Sequence, residues 1–381
     1  MAEIKIPLCV PDIGEEEIKA VEEVLRSGWL AHGPKTKKFE EEFAKYIGVK
    51  HAISLNSCTS ALQLAVFANN IKEEIILPSF TFAASANSIV TQGAKPIFCD
   101  VEYNTCNIDV EKIKELITDK TQAIMPVHYA GQSCDMKAIM EIAEDKNLVV
   151  IEDSAESIGG TFKLNNEDRK TGSFSNGCFS FYPTKNMTTG EGGMLTTNDD
   201  VLANKFKALK AHGVESSTFE REKQEKPWLR AATFAGFNFR LCDINSVLGL
   251  MQLRKLDQMN NSRREHANYL NQNLKHEKID LPVENSECKH VYQMYTIKLA
   301  KEINRSEFLK RLREKGIGAS VHFDPPVHTQ PYYQNLGWKK GDFPITEDIS
   351  ERIVTLPMFP QLTREQLDHM INCTQETLNS F

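Results

Sequence analysis

Two hydrophobic periods alternate along the first 153 residues. Residues 15–27 and 35–47 repeat apolar positions three and four apart, which predicts two amphipathic helices. HAISL at 51–55 is a short apolar run, followed by a helical pattern at 58–68. The same pairing recurs with EIILP at 74–78 before a helix at about 81–92, and with KPIFCD at 95–100 before a helix near 110–117. AIMPV at 123–127, a helix at 136–146 and LVVIED at 148–153 complete the series. Strand–helix alternation predicts an α/β domain with a mostly parallel sheet, and fully apolar strands are what a sheet covered on both faces requires. After about residue 175 the pattern changes. CFSFY at 178–182 and MLTT at 194–197 read as strands, and helices follow at about 199–211 and 243–275. The remainder predicts a smaller α+β unit, with strands near 291–299 and 318–323 and helices at 305–315 and 363–378. We place the division in the long helix, giving a large domain at 1–255, which includes an N-terminal arm, and a small C-terminal domain at 256–381.

Composition narrows the class without naming a function. Lys plus Arg number 45 and Asp plus Glu 52, a net charge of −7 with no block of like charge, which argues against nucleic acid or an anionic membrane surface as partner. Nine cysteines at scattered spacings, with no CxxC pair, fit reduced thiols in a cytoplasm and give no metal site. The N-terminus has no apolar core of a signal peptide. Residues 52–71, 75–94 and 171–184 contain no Asp, Glu, Lys or Arg. The first two are long enough to suggest membrane spans, but Asn56, Ser57, Gln63, Pro78, Asn87 and Gln92 interrupt them, so they read as buried backbone near a ligand.

Ligands of open α/β sheets bind beyond the carboxyl ends of the strands. Three features fall there. The run Asn56-Ser57-Cys58-Thr59-Ser60 opens a helix, whose free N–H groups suit a phosphate and whose residue types equally suit a plain cap. Asp153 ends an apolar strand, although Asp153-Ser154-Ala155-Glu156 also has the form of a capping box. Lys185 follows fourteen uncharged residues, 171–184, and precedes Thr188-Thr189-Gly190-Glu191-Gly192-Gly193. A surface lysine rarely has such a context, whereas a desolvated amine is suited to Schiff-base chemistry. A phosphate cradle, an acid and an amine, in that chain order, fit one cofactor: pyridoxal 5′-phosphate needs all three. Neither a P-loop nor a GxGxxG after a strand is present.

These residues sit within longer motifs. NSCTSALQLA at 56–65, ILPSFTFAASANSIVTQGAKPIFCDV at 76–101, VIEDSAESIGG at 150–160 and FSFYPTKNMTTGEGGML at 179–195 are four of them. With SGWLAHGPKTKKFEEEFAKYIG at 27–48, GFNFRLCDINSVLGLMQLRKLD at 236–257 and GIGASVHFDPPVHTQPYY at 316–333, nearly the whole chain resembles the DegT/DnrJ/EryC1/StrS family of nucleotide-sugar aminotransferases, fold type I pyridoxal-phosphate enzymes.

The resemblance implies that Lys185 joins the cofactor aldehyde and then carries the proton, and that Asp153 pairs with the ring nitrogen. It implies that Phe82 stacks on the ring, that Ser180 and the backbone around Cys58, Thr59 and Ser60 bind the phosphate, and that Glu156 lies at the cofactor. Asn238 would reach the phosphate from the neighbouring subunit of a homodimer with a shared active site. Trp29, Leu30, Ala31 and His32, with His322, Phe323, Asp324 and Pro325, would line the sugar site. The sequence departs from the usual NSGTAAL with Cys58 and Ser60, changes that backbone contacts survive; Cys58 is either an activated thiol or a small buried one. Glu156 and the GEGG at 190–193 resemble members that aminate C4. The implied activity moves an amino group from L-glutamate to C4 of a nucleotide-linked 4-keto-6-deoxyhexose. A C3 or cyclitol aminotransferase is the alternative, as is a sugar dehydratase of the same fold, whose best-known form replaces the lysine with histidine. A non-catalytic binding protein of this fold fits poorly with Lys185, Asp153 and Ser180 all retained.

Overall fold

The computed structural model describes residues 5–214, 226, 228 and 231–381. Helices α1 (Glu15–Ser27) and α2 (Pro34–Ile47) precede β1 (His51–Leu55). Then follow α3 (Cys58–Ala68), β2 (Glu74–Pro78), α4 (Ala83–Val90), β3 (Lys95–Cys99), α5 (Val110–Leu116), β4 (Thr121–Ile124), α6 (Met136–Lys146) and β5 (Val149–Asp153), as the alternating periods predict. Strands β8 (Asn176–Ser180) and β9 (Gly193–Thr197) complete a seven-stranded sheet of order β1-β9-β8-β5-β4-β2-β3. Only β9 runs against the others, pairing antiparallel with both β8 and β1. The mostly parallel α/β class is therefore correct.

The apolar strands are covered on both faces. In β2, Ile75 and Leu77 join the cluster built on Ala61, Leu64 and Ala65 of α3, while Ile76 between them joins Ile113, Ile139 and Ile142 of α5 and α6. A side-chain period of two forces this division. Beside the sheet, β6 (Thr161–Leu164) and β7 (Glu167–Lys170) form a hairpin absent from the sequence reading. Its turn is Asn165-Asn166, both at positive φ (52° and 65°), a conformation that Asn tolerates and a two-residue hairpin demands.

A helix of 31 residues, Asp243–Asn273, joins the two units. Its first half packs Leu250, Leu253 and Leu256 beside Phe39 and Phe181, and its second half packs Ala267 and Leu270 into a separate core with Tyr295, Phe308 and Met370. The change of core thus falls inside a continuous helix and no linker marks it. The Asp243 carboxylate also accepts the N–H groups of Gly33, Lys35 and Thr36, which anchors the start of α2.

The small unit carries an antiparallel sheet of β10 (Ile279–Asp280), β12 (Tyr295–Leu299) and β13 (Ile353–Leu356), while β11 (Cys288–Lys289) pairs with β6. This corrects the strand expected near 318–323. Only Ser320 bridges to Thr355, and Val321 and Phe323 then leave the sheet to pack near Phe80 and Tyr129. The N-terminal arm reaches across to the small unit. Ile6 pairs with Ile317, and Leu8 accepts the Met358 N–H, so the arm is bound to the small unit. Among the described residues no helix is long and apolar enough to cross a membrane, and no cluster of His, Cys, Asp and Glu has the make-up of a metal site.

Candidate active site

The carboxyl ends of β1, β2, β5 and β8 open into one cavity of about 510 Å³, roofed by the small unit. Each strand end delivers one of the expected residues there. β1 leads into Ser57, Cys58 and Thr59; β2 leads to Phe82; β5 ends on Asp153; and β8 ends on Ser180, five residues before Lys185.

The anion cradle is the first turn of α3. Ser57 caps the helix by accepting the Ser60 N–H at 3.1 Å, and its hydroxyl donates to Ser60 Oγ at 3.0 Å. The N–H groups of Cys58 and Thr59, one turn too early for an intrahelical carbonyl, are left for an anion. Ser60 is buried beneath this turn and does not line the cavity. Burial pushes the Cys58 thiol well up, so it is a small buried residue and not an activated thiolate. β9 presses on the cradle from behind: a Cβ on Gly193 would lie 2.4 Å from the carbonyl carbon of Ser57 and 2.6 Å from the Cys58 nitrogen. Gly193→Ala should therefore cost about 1–3 kcal/mol of stability, read by urea denaturation, together with weaker cofactor retention. An unchanged denaturation midpoint would show that the strand can retreat.

The acid lines the same cavity. Asp153 is buried; its Oδ2 accepts from Ser85 Oγ at 2.7 Å and its Oδ1 from the Ala155 N–H at 3.2 Å. Burial raises its pKa, outweighing these two hydrogen bonds, so the carboxyl is poised to gain from a nearby cation. Lys185 Nζ donates to Glu156 Oε1 at 3.3 Å, and Glu156 Oε2 accepts the Ala130 N–H at 2.9 Å. The lysine side chain is only 16% exposed, the desolvated amine that the uncharged approach predicts.

The cavity wall is aromatic. Phe82 is 64% exposed in the cavity, while Phe80, two residues earlier, is fully buried. An open phenyl face at a cavity wall is what a flat cofactor ring packs against. Phe323 stands with its centroid 6.2 Å from that of Phe82. His322 lines the cavity, shares a hydrogen bond with Thr355 Oγ1 at 2.9 Å, and has its pKa lowered by burial, which favours the neutral imidazole.

Other predicted residues lie elsewhere. Trp29, Leu30, Ala31 and His32, between α1 and α2, do not line this cavity. His32 sits instead 3.2 Å from Lys210 Nζ beside Glu40, whose carboxyl, raised by burial, is held far below its usual range by Lys210 and His32. Asp324 pairs with Arg305, and neither it nor Pro325 reaches the cavity. Asn238 is exposed and pairs with Ala211 away from it. The sequence reading missed Ser85 and also Gln293, whose Nε2 donates to Thr184 O while its buried Oε1 has no partner among the described residues. It also missed Leu8 and Cys9, which the arm brings to the cavity. Local pattern carries no signal for these positions, because each acquires its place through a distant segment.

A largely enclosed amine, a buried acid and a helix N-terminus around one aromatic-walled cavity define the class of pyridoxal-phosphate enzymes of fold type I. The sequence profile of the DegT/DnrJ/EryC1/StrS aminotransferase family matches residues 11–375, and the chain belongs to that family. It is 39% identical over 380 residues to the spore coat polysaccharide biosynthesis protein SpsC of Bacillus subtilis, covering 97% of this chain and 96% of SpsC. Among solved structures it resembles Helicobacter pylori PseC, an aminotransferase involved in the biosynthesis of pseudoaminic acid (TM-score 0.91, 30% identity, 99% of this chain and 100% of that one). It also resembles Spr1654 of Streptococcus pneumoniae in its PMP form (TM-score 0.92, 27% identity, 99% and 100% covered), a protein known in a PLP form as well. The protein is a pyridoxal-phosphate-dependent aminotransferase.

Proposed function

We propose that this aminotransferase moves the amino group of L-glutamate to C4 of a nucleotide-linked 4-keto-6-deoxyhexose. The product would be a 4-amino-4,6-dideoxyhexose of perosamine or viosamine type, used for a surface polysaccharide such as an O-antigen. The observation that carries the reading is Lys185 Nζ, largely enclosed at 3.3 Å from Glu156 in the cavity that also holds Asp153 and the first turn of α3. Two relatives support the substrate class: SpsC is named for polysaccharide synthesis and PseC for pseudoaminic acid synthesis.

Pyridoxal phosphate supplies an aldehyde that carries the amino group and a ring that accepts electrons. The protein's residues divide the remaining work. The N–H groups of Cys58 and Thr59, with Ser180, would bind the phosphate, and Phe82 would pack against the ring. Asp153 would pair with the ring nitrogen and favour its protonated form. Lys185 Nζ takes a proton from one carbon and returns it to another in each half of the reaction, and Glu156 holds that amine in place between transfers. His322 and Phe323 face the sugar. Asn238, exposed and remote from its own cavity, fits a role across a subunit contact, as does the loop of Trp29, Leu30, Ala31 and His32. On this reading two copies share each site. The large domain, 1–255, binds the cofactor, the small domain, 256–381, closes over it, and the nine free thiols suit a cytoplasmic setting.

The test is a panel of nucleotide-linked 4-keto and 3-keto sugars incubated with L-glutamate and read by mass spectrometry. A 4-keto sugar should gain the mass of an amine, with NMR placing nitrogen on C4. Amination of only the 3-keto sugars overturns the regiochemistry, and amination of none overturns the substrate class.

A further inference from the structure

We infer that Ser85 is a positioning residue for the reaction: its hydroxyl, oriented by Thr81, fixes the Asp153 carboxylate so that a lone pair faces the cofactor's ring nitrogen. The inference rests on the pairing of Asp153 with that nitrogen. Thr81, Ser85 and Asp153 are each at least 96% buried, so their hydrogen bonds form without competition from solvent.

The direction of the chain of bonds follows from proton inventory. An ionised carboxylate only accepts, so the single Ser85 proton goes to Asp153 Oδ2, 2.7 Å away. Thr81 Oγ1, 2.8 Å from Ser85 Oγ, must then be the donor of the pair. The order is Thr81 to Ser85 to Asp153. Ser85 is itself held, because it lies in the first turn of α4, where its N–H donates to Phe82 O and its carbonyl accepts from Ser88 Oγ.

The geometry serves the cofactor in two ways. Bonds to both oxygens, from Ser85 and from the Ala155 N–H, stop the carboxylate rotating about its Cβ–Cγ bond. They also favour the ionised form that burial disfavours. The same five residues, Thr81 to Ser85, carry Phe82 into the cavity. One segment thus sets both the face and the nitrogen edge of the ring. A hydroxyl that merely supported α4 would be indifferent to the atom at that edge.

The probe is therefore a cofactor without the nitrogen. The full chain, stripped of cofactor, is titrated with pyridoxal phosphate and with its 1-deaza analogue, in which carbon replaces the ring nitrogen, and binding is followed by protein fluorescence. Ser85→Ala should weaken pyridoxal phosphate by about tenfold and the deaza analogue by less than about twofold. Ser85→Thr should restore the wild-type ratio. Thr81→Val should shift the ratio in the same direction by a smaller factor, and it carries the test if Ser85→Ala does not fold. An equal loss with both ligands, or no loss with either, overturns the inference. Asp153→Asn separates the two levels of the argument. If it discriminates between the ligands and the Ser85 and Thr81 variants do not, only the positioning role fails. If it does not discriminate either, the pairing of Asp153 with the ring nitrogen fails, and the inference falls with it.

Discussion

Lys185→Ala should give a protein that stays colourless after incubation with pyridoxal phosphate and desalting, with transamination reduced on the order of 10⁴-fold or more. Two functions disappear with one amine. The first is attachment: the Lys185 side chain is 16% exposed inside the cavity, and among the described residues it is the only lysine that lines it. The second is proton transfer, which needs a base able to reach the reacting carbons. Lys185→Arg should not rescue either function, because a guanidinium stays protonated and cannot act as a nucleophile at neutral pH. Borohydride reduction of the wild-type holoenzyme, followed by peptide mapping, should place the cofactor on the peptide containing Lys185. A yellow, active Lys185→Ala variant, or label on another lysine, would sink the assignment.

Asp153→Asn should lower turnover by about 10²-fold or more while leaving the fold intact. Asparagine preserves shape and still accepts from Ser85, so the loss reports the negative charge. In the cofactor-free chain, burial is the largest influence on Asp153 and raises its pKa. A protonated ring nitrogen beside it acts in the opposite sense, favouring the carboxylate and keeping its own proton. Without that anion the ring nitrogen loses its proton, and the ring accepts electrons less readily. The prediction is checked by single-turnover kinetics with L-glutamate. Turnover within twofold of wild type would show that Asp153 only caps its turn, as its Ala155 contact alone would suggest.

The errors of the sequence reading have definable causes. The β6–β7 hairpin was invisible because all four residues of Glu167–Lys170 are charged and offer no apolar period. β13, Ile353–Leu356, follows directly on the helix Pro344–Arg352, so its four apolar or small residues are inseparable by pattern from a last helical turn. The segment 318–323 alternates like a strand, yet a strand requires a partner along its length, and among the described residues its only backbone pairings with another segment are Gly318 N–H to Ile6 O and the Ser320–Thr355 bridge. The elements nearest the site were read well for the converse reason. β1 is a short buried run that ends at a helix start capped by Ser57, and β2 and β5 are equally short and buried, so no competing period obscures them.

The chain by itself determined the order of strands and helices as far as β5, the cofactor class, and the choice of Asp153 and Lys185 as candidate acid and amine. These depend on local periodicity and on the charge-free stretches 52–71, 75–94 and 171–184, which place polar backbone and one lysine where solvent is excluded. The tertiary structure alone decided the reversal of β9, the pressure of Gly193 on Ser57, the docking of the N-terminal arm on the small unit, and the bonds from Lys185 to Glu156 and from Ser85 to Asp153. These join residues from 13 to more than 300 positions apart, as between Ser180 and Gly193 or between Ile6 and Ile317. A hydrogen bond or close contact across such a separation exists only once the strands have been ordered in the sheet, so no local period records it.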